Sequence, residues 1–278
     1  MKDNTYPVLA FIGAGNMAQA IMGGLLAQGY PADRIWGTGR DQDKLDDLGQ
    51  RLGIRTSTDN QQAVAAAEVL VLAVKPQMMQ AVARSLAEAV QDSRPLVISV
   101  AAGISCHSLE RWLGGNVALV RCMPNTPSLV QAGASGLYAN AQVSQSQRAQ
   151  TEQLLAAVGI AEWVDSEALI DTVAAVSGSG PAYYFMLMEA MIAAGEAQGL
   201  NRETSTRLTL QTALGAAKMA LASEVDPAEL RRRVTSPKGC TEQAVLRFER
   251  GDLTGLVAEA MTACAERGRA MEVELGSD

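Results

Sequence analysis

In the first 165 residues the apolar positions fall in short, nearly unbroken runs: Val8–Ile12, Val69–Val74, Leu96–Val100, Val117–Val120 and Ile160–Val164. Runs of this length, rich in Val, Ile and Leu and without polar alternation, predict strands buried on both faces of a parallel sheet. Arg34–Thr38 and Gly53–Thr56 read as two further, more polar strands. Between the runs the pattern changes to a helical period. It covers about 16–28, closed by Gly29, then 43–52, then an alanine-rich stretch after Asp59-Asn60. Further helices are expected from Pro76 to about Gln91, from a Ser105 cap to about Leu113, and over 144–158. Strand and helix in strict alternation predict a doubly wound α/β sheet. From Asp165 the strand pattern stops. Helices are expected over 167–176, 182–198, 202–223, from Asp226-Pro227 to Arg233, and over 253–275, with Thr241 a candidate cap between the last two. The stretch from Ala182 to Gln198 is apolar nearly all round, so it requires burial by its own domain or by another subunit. The expected division is 1–165 and 166–278.

The first strand runs into Ile12-Gly13-Ala14-Gly15-Asn16-Met17-Ala18, a Gly-x-Gly-x-x-Ala turn that opens a helix. Gly13 permits the tight turn, Gly15 removes the side chain that would block a pyrophosphate, and Ala18 lets helix and strand pack closely. The free N–H groups of the helix start then face the anion. The N-terminal half is thus expected to be a dinucleotide-binding Rossmann-type domain. In such sites an acidic residue ending the second strand holds the adenosine ribose. Here Thr38-Gly39-Arg40-Asp41 stands there, and a guanidinium suits a 2′-phosphate better than a bare hydroxyl. The expected cofactor is NADPH, with NADH the alternative if Asp41 does the ribose work.

Composition narrows the function. The chain of 278 residues carries a formal net charge of -7 and only 4% aromatic residues. It has neither the basic stripe nor the stacking surface of a nucleic-acid binder. No apolar stretch approaches a membrane span, and the N-terminus has no signal segment. The four cysteines, Cys106, Cys122, Cys240 and Cys264, are scattered and read as buried or inert thiols. No metal site is expected, and a reducing cytoplasm is the expected compartment. The single histidine, His107, sits at a helix start, so a histidine proton shuttle is not expected.

The ligand edge of an open α/β sheet is its carboxyl edge. Three strands end there in distinctive loops: Val74-Lys75-Pro76, Ala101-Ala102-Gly103 and Met123-Pro124-Asn125. The helical half adds two loops rich in hydroxyls and glycine, Ser177–Pro181 and Thr235–Thr241, suited to a carboxylate. The glycine loop Ile12–Met17, Val74-Lys75-Pro76-Gln77, Met123–Pro127, Ser177–Tyr183 and Thr235–Thr241, in this order over nearly the whole chain, together resemble the pyrroline-5-carboxylate reductase family. The resemblance implies NAD(P)H-dependent reduction of a cyclic imine to L-proline, the last step of proline biosynthesis. It also implies helical domains interlocked in a dimer, with dimers assembled further into a decamer.

By the same resemblance, Ser236, Gly239, Cys240 and Thr241 hold the substrate carboxylate and ring, with the Thr241 hydroxyl near the ring nitrogen and Ser236 beside it as the catalytic pair. Glu167 lines that pocket. Ile12, Gly13, Ala14, Gly15, Asn16, Met17, Thr38, Arg40, Asn60, Val74, Lys75, Pro76, Ala101 and Asn125 fall at cofactor-binding positions. The chain departs from the family pattern at Lys238, usually Gly, which puts the backbone geometry there in question, and at Cys240, usually Ala or Thr. Two other readings share the layout: a β-hydroxyacid dehydrogenase, for which Lys218 is the available lysine, and a non-catalytic NADP sensor.

Overall fold

The computed structural model describes residues 6–277. Its centre is one eight-stranded sheet in the order β3-β2-β1-β4-β5-β6-β7-β8. The strands are β1 (Leu9–Ile12), β2 (Ile35–Thr38), β3 (Arg55–Ser57), β4 (Val69–Leu72), β5 (Leu96–Ser99), β6 (Leu119–Met123), β7 (Gly133–Ala139) and β8 (Gly159–Trp163). The first six pair in parallel. Leu9 lies between Ile35 and Val69, and Leu72 pairs with Ser99. The helices of this half are α1 (Asn16–Ala27), α2 (Gln42–Leu52), α3 (Asn60–Ala66), α4 (Pro76–Ser93), α5 (Cys106–Trp112), α6 (Gln145–Ala156) and α7 (Leu169–Val173). Both faces of the sheet are covered. Leu9, Phe11, Val69, Val71, Leu96 and Ile98 join α1 and α6 in one core. Their neighbours Ala10, Ile12, Leu70, Leu72 and Val97 join α3, α4 and α5 in the other. The unbroken apolar runs therefore serve two cores at once.

β7 was not anticipated. Its sequence, Gly-Ala-Ser-Gly-Leu-Tyr-Ala, lacks an apolar run, and it pairs antiparallel with β6, Cys122 opposite Leu137. Its small residues make room: Val173 packs against Gly136, and the Ser128 side chain against Gly133. The Ser177–Pro181 stretch is also not the sharp loop expected. The helix of α7 continues as a π-helical turn over Ala174–Gly178, bends at Ser179, and resumes at Gly180. The Ser179 N–H, bonded to the Ala174 carbonyl, closes the wide turn.

The chain packs as two units, one running to Ser179 and resuming at Ala263, the other spanning Gly180–Thr262. The division by packing lies beyond residue 165 because α7 belongs with the sheet: Ile170 and Asp171 are buried there. The second unit holds α8 (Gly180–Ala197), α9 (Arg202–Leu221), α10 (Pro227–Arg233), α11 (Cys240–Arg250) and the start of α12 (Leu253–Gly276). α8 and α9 meet where the Ser205 hydroxyl donates to the Ile192 carbonyl at 2.9 Å, packed against Gly195. Little else in this unit is buried. Tyr184, Phe185, Met186, Leu208, Leu214, Leu221 and Leu256 are all exposed in the single chain. Among the described residues no helix is long and apolar enough to cross a membrane.

The packing of α1 against the end of α6 gives a test. A Cβ on Gly24 would stand 2.5 Å from the Ala157 carbonyl oxygen, whereas one on Gly23 meets nothing within 4 Å. Gly24→Ala is expected to cost about 1–3 kcal/mol by overpacking against backbone. Gly23→Ala should be neutral or gain about 0.5–1 kcal/mol from helix propensity. Urea midpoints of the two variants check this.

Candidate functional site

At the carboxyl end of β1 the chain turns through Gly13 at φ +95°. A side chain is barred there twice, by the left-handed backbone and because a Cβ would lie 2.9 Å from Val74 Cγ1 and 3.0 Å from the Val74 nitrogen. Ile12 is buried just before it. The Ala14 N–H donates to the Thr38 carbonyl at 2.7 Å, and the buried Thr38 hydroxyl donates to the Phe11 carbonyl at 3.3 Å. Thr38 thus locks the ends of β1 and β2 together with its side chain turned inward. Gly15 is the α1 N-cap, with extended backbone and no side-chain cap. A Cβ on it would meet nothing within 4 Å. The space before it is open, and the first N–H groups of α1, at Asn16 and Met17, are left to an anion. The Gln19 side-chain amide braces the loop by donating to the Ala14 carbonyl at 2.9 Å.

Next to this turn, Arg40 is exposed. Asp41 is committed elsewhere. Its carboxylate caps α2, accepting from the Lys44 N–H at 3.3 Å and pairing with Lys44 Nζ at 3.1 Å. The Lys44 hydrogen bonds hold its carboxyl below the usual range. Asn60 opens α3, with Asp59 as cap accepting from Gln61 N–H at 2.8 Å. Val74 and Lys75 follow β4. Lys75 is extended and exposed, as the ring of Pro76 requires, and Pro76 is the first residue of α4. Ala101 is buried after β5. Asn125 is buried and its amide bonds on both sides: it donates to the Ser177 carbonyl at 3.0 Å and accepts from the Ala134 N–H at 2.9 Å. It therefore ties the loop after β6 to β7 and to the π-helical turn.

Glu167 sits before α7 in this same unit. Its Oε1 accepts from the Cys106 N–H at 2.6 Å and from Arg121 Nη1 at 3.1 Å. Arg121, on β6, is 2% exposed, and Asp171 and Glu272 also face it, at 3.7 and 3.4 Å. Sequence reasoning passed over Arg121, although a lone charge inside the strand 117–122 was the available signal. Burial, then the Glu167 charge, raise the Cys106 thiol well above its ordinary range, while Arg121 pulls it down. Burial likewise pushes Cys122 up to about 12. These two cysteines are buried, as expected. Cys240 is instead exposed and Cys264 half-buried, because neither faces the sheet cores.

In the second unit, Thr235–Thr241 forms a tight turn into α11. The Gly239 N–H donates to the Ser236 carbonyl at 3.0 Å, with Pro237 and Lys238 between. Lys238 has φ +60°, a position for which glycine is the unstrained choice. Its N–H donates to Glu242 Oε2 at 2.9 Å. The cap of α11 is Gly239 and not Thr241, which lies inside the first turn. A Cβ on Gly239 would stand 2.9 Å from the Ser236 carbonyl oxygen. Ser236, Cys240 and Thr241 are exposed, and no side chain caps the helix. Its leading N–H groups are thus available to a carboxylate.

A family profile described as pyrroline-5-carboxylate reductase dimerisation matches residues 167–271, and one described as NADP oxidoreductase, coenzyme F420-dependent, matches 8–103. A pyrroline-5-carboxylate reductase of Pseudomonas aeruginosa is 56% identical over 97% of this chain and 98% of its own. The chain belongs to the pyrroline-5-carboxylate reductase family. The solved reductase of Coxiella burnetii is 46% identical, covers 96% of this chain and 99% of its own, and superposes with a TM-score of 0.93. A Plasmodium falciparum pyrroline carboxylate reductase solved with NADP bound is 27% identical, covers 96% and 98%, and has a TM-score of 0.85. The family places a nicotinamide cofactor on the first unit, and the open face of Gly15 with the uncapped start of α1 fits its pyrophosphate. It also places self-association in the helical half, where the apolar side chains are exposed.

Two measurements test the local geometry. Lys238→Gly should raise stability by about 0.5–1 kcal/mol, the left-handed penalty less the entropy cost of glycine, while Lys238→Ala should not, as thermal melting will report. A thiol reagent should leave Cys106 and Cys122 unmodified until the protein unfolds, as mass spectrometry of labelled peptides will show.

Proposed function

We propose that this chain is a cytoplasmic NADPH-preferring reductase that converts 1-pyrroline-5-carboxylate to L-proline, the last step of proline biosynthesis. The observation that carries the reading is that one chain holds both a Gly13–Met17 turn open to a pyrophosphate and a Ser236–Thr241 turn open to a carboxylate, in a sequence 56% identical to a pyrroline-5-carboxylate reductase over 97% of its length. The cofactor supplies a hydride when bound. Gly15 gives it backbone access, Asn16 and Met17 offer N–H donors, and Val74, Lys75, Pro76, Ala101 and Asn125 form the strand-end wall beside it. Asn60 stands at the start of α3 on the same edge. Preference for NADPH is supported by Arg40, exposed beside the β2 end, and by Asp41, whose carboxylate is spent capping α2.

The substrate needs orientation more than acid catalysis, because a protonated imine is already electrophilic. Ser236, Gly239 and the first N–H groups of α11 anchor its carboxylate. The Thr241 hydroxyl holds the ring nitrogen and relays a proton from water. Cys240 and Glu167 line the ring. The absence of a usable histidine is consistent with this, since His107 is exposed at the start of α5. The chain associates through its helical unit as a dimer, and dimers assemble further into a decamer.

The test is NADPH oxidation on adding pyrroline-5-carboxylate, with NADH in parallel. Saturable oxidation yielding proline is expected, and its absence overturns the reading. Arg40→Ala should raise the KM for NADPH about ten-fold and leave that for NADH nearly unchanged, the loss of a charge-assisted phosphate contact. Thr241→Ala should lower kcat at least about ten-fold with cofactor binding intact, the lower end of what a proton relay contributes. A Thr241→Ala variant with normal turnover removes that role.

A further inference from the structure

The structure assigns Arg121 as a positioning residue that fixes Glu167 and the Ala101–Cys106 segment with respect to each other, an inference that rests on the reductase reading above.

The chemistry around Arg121 is unusual for a stabilising device. One guanidinium, 2% exposed, faces the carboxylates of Glu167, Asp171 and Glu272, and its buried Nε finds no hydrogen-bond partner. Burying a guanidinium and the Asp171 carboxylate beside two half-buried glutamates, with a donor left unpaired, is a poor way to gain stability. It is a good way to hold several segments in one arrangement. Glu167 Oε1 is shared: it takes the Arg121 Nη1 at 3.1 Å and the Cys106 N–H at 2.6 Å. The start of α5, and with it the segment from Ala101, is therefore held through the same oxygen that Arg121 holds. β6, which carries Arg121, leads directly into Met123-Pro124-Asn125. From the other side, the end of α12 closes on the cluster. Glu272 reaches Arg121 at 3.4 Å, and a Cβ on Gly268 would stand 2.8 Å from Asp171 Oδ1. Met271 packs on Gly103, where a Cβ would meet it at 2.8 Å.

The segments so tied are those on which the proposed reaction draws: Ala101 beside the cofactor and Glu167 beside the ring. The adenosine end, at Thr38 and Arg40, is on the other side of β1 and independent of the cluster. Loosening Arg121 should thus impair turnover far more than cofactor binding.

The experiment compares Arg121→Lys, Arg121→Met and Glu272→Gln as full-length proteins. Lysine keeps the charge but loses the fork that serves several carboxylates. Arg121→Met strands the carboxylates and will lower the melting temperature most, so Arg121→Lys carries the test. For Arg121→Lys, kcat should fall about ten-fold while the Kd for NADPH changes less than about two-fold. Hydrogen exchange in the peptide spanning 101–108 should accelerate, since the Cys106 N–H loses a fixed acceptor. Glu272→Gln leaves Arg121 its hydrogen bond to Glu167 and should accelerate exchange in the 263–277 peptide, with a smaller effect on 101–108 and on kcat than Arg121→Lys. Equal loss of kcat in Arg121→Lys and Glu272→Gln, or unchanged exchange over 101–108 in Arg121→Lys, overturns the inference. If the parent protein fails to turn over pyrroline-5-carboxylate, the reductase reading falls, and the exchange comparison still decides whether Arg121 fixes the segment.

Discussion

Everything at the ligand edge depends on how closely β1 and β4 end beside each other. Gly13 passes within van der Waals reach of Val74, with no room for a single carbon between them. That contact aims the first N–H groups of α1 at open space and places Val74 and Lys75 next to them. The sheet can bring the two strand ends so close because its central strands carry apolar side chains on both faces and are clamped by helices from both sides. Thr38 completes the arrangement from β2 by bonding to the ends of β1 instead of pointing at the ligand. The glycine turn is therefore held in place by contacts within the chain itself.

The second unit shows the opposite economy. Two of its helices, α9 and α10, are well capped: Asn201 and Asp226 each accept from a backbone N–H in the first turn they precede. Glu229 bonds Arg232 and Arg233, which draws its carboxyl down to about 2. The helices thus have local reasons to form, but the apolar faces of α8 and α9 find little to cover them within one chain. Self-association in this family supplies what the single chain lacks.

Much of this was legible in the sequence because it is local. Continuous apolar runs identify a strand buried on both sides, and Ser105, Ser144 and Asp226 announce their helices as caps. The glycine turn and the Ser236–Thr241 turn carry their conformations in their residue types, and Lys238 at φ +60° is the strain that a non-glycine there foretold. What escaped was non-local. β7 is made of small residues whose selection is explained only by Val173 and Ser128 packing onto them. Ser177-Gly178-Ser179-Gly180 has the composition of a loop, yet the turn stays helical, and Asn125, in the distant loop after β6, holds the Ser177 carbonyl. Arg121 stands in an apolar strand for the sake of carboxylates that lie far along the chain.

That distance has a consequence for how the protein comes into being. Arg121 and Glu272 are 151 positions apart, and the whole helical unit lies in the loop between them. During synthesis the first unit has its sheet and glycine turn long before it has Met271 and Glu272. Until they emerge, Gly103 is uncovered and Arg121 lacks one of its counter-charges. Closing so long a loop is slow compared with forming the local βα units. The nascent protein thus passes through a stage in which the dinucleotide half is built while the Arg121 cluster stands open, and in which the exposed faces of α8 and α9 are already seeking partners.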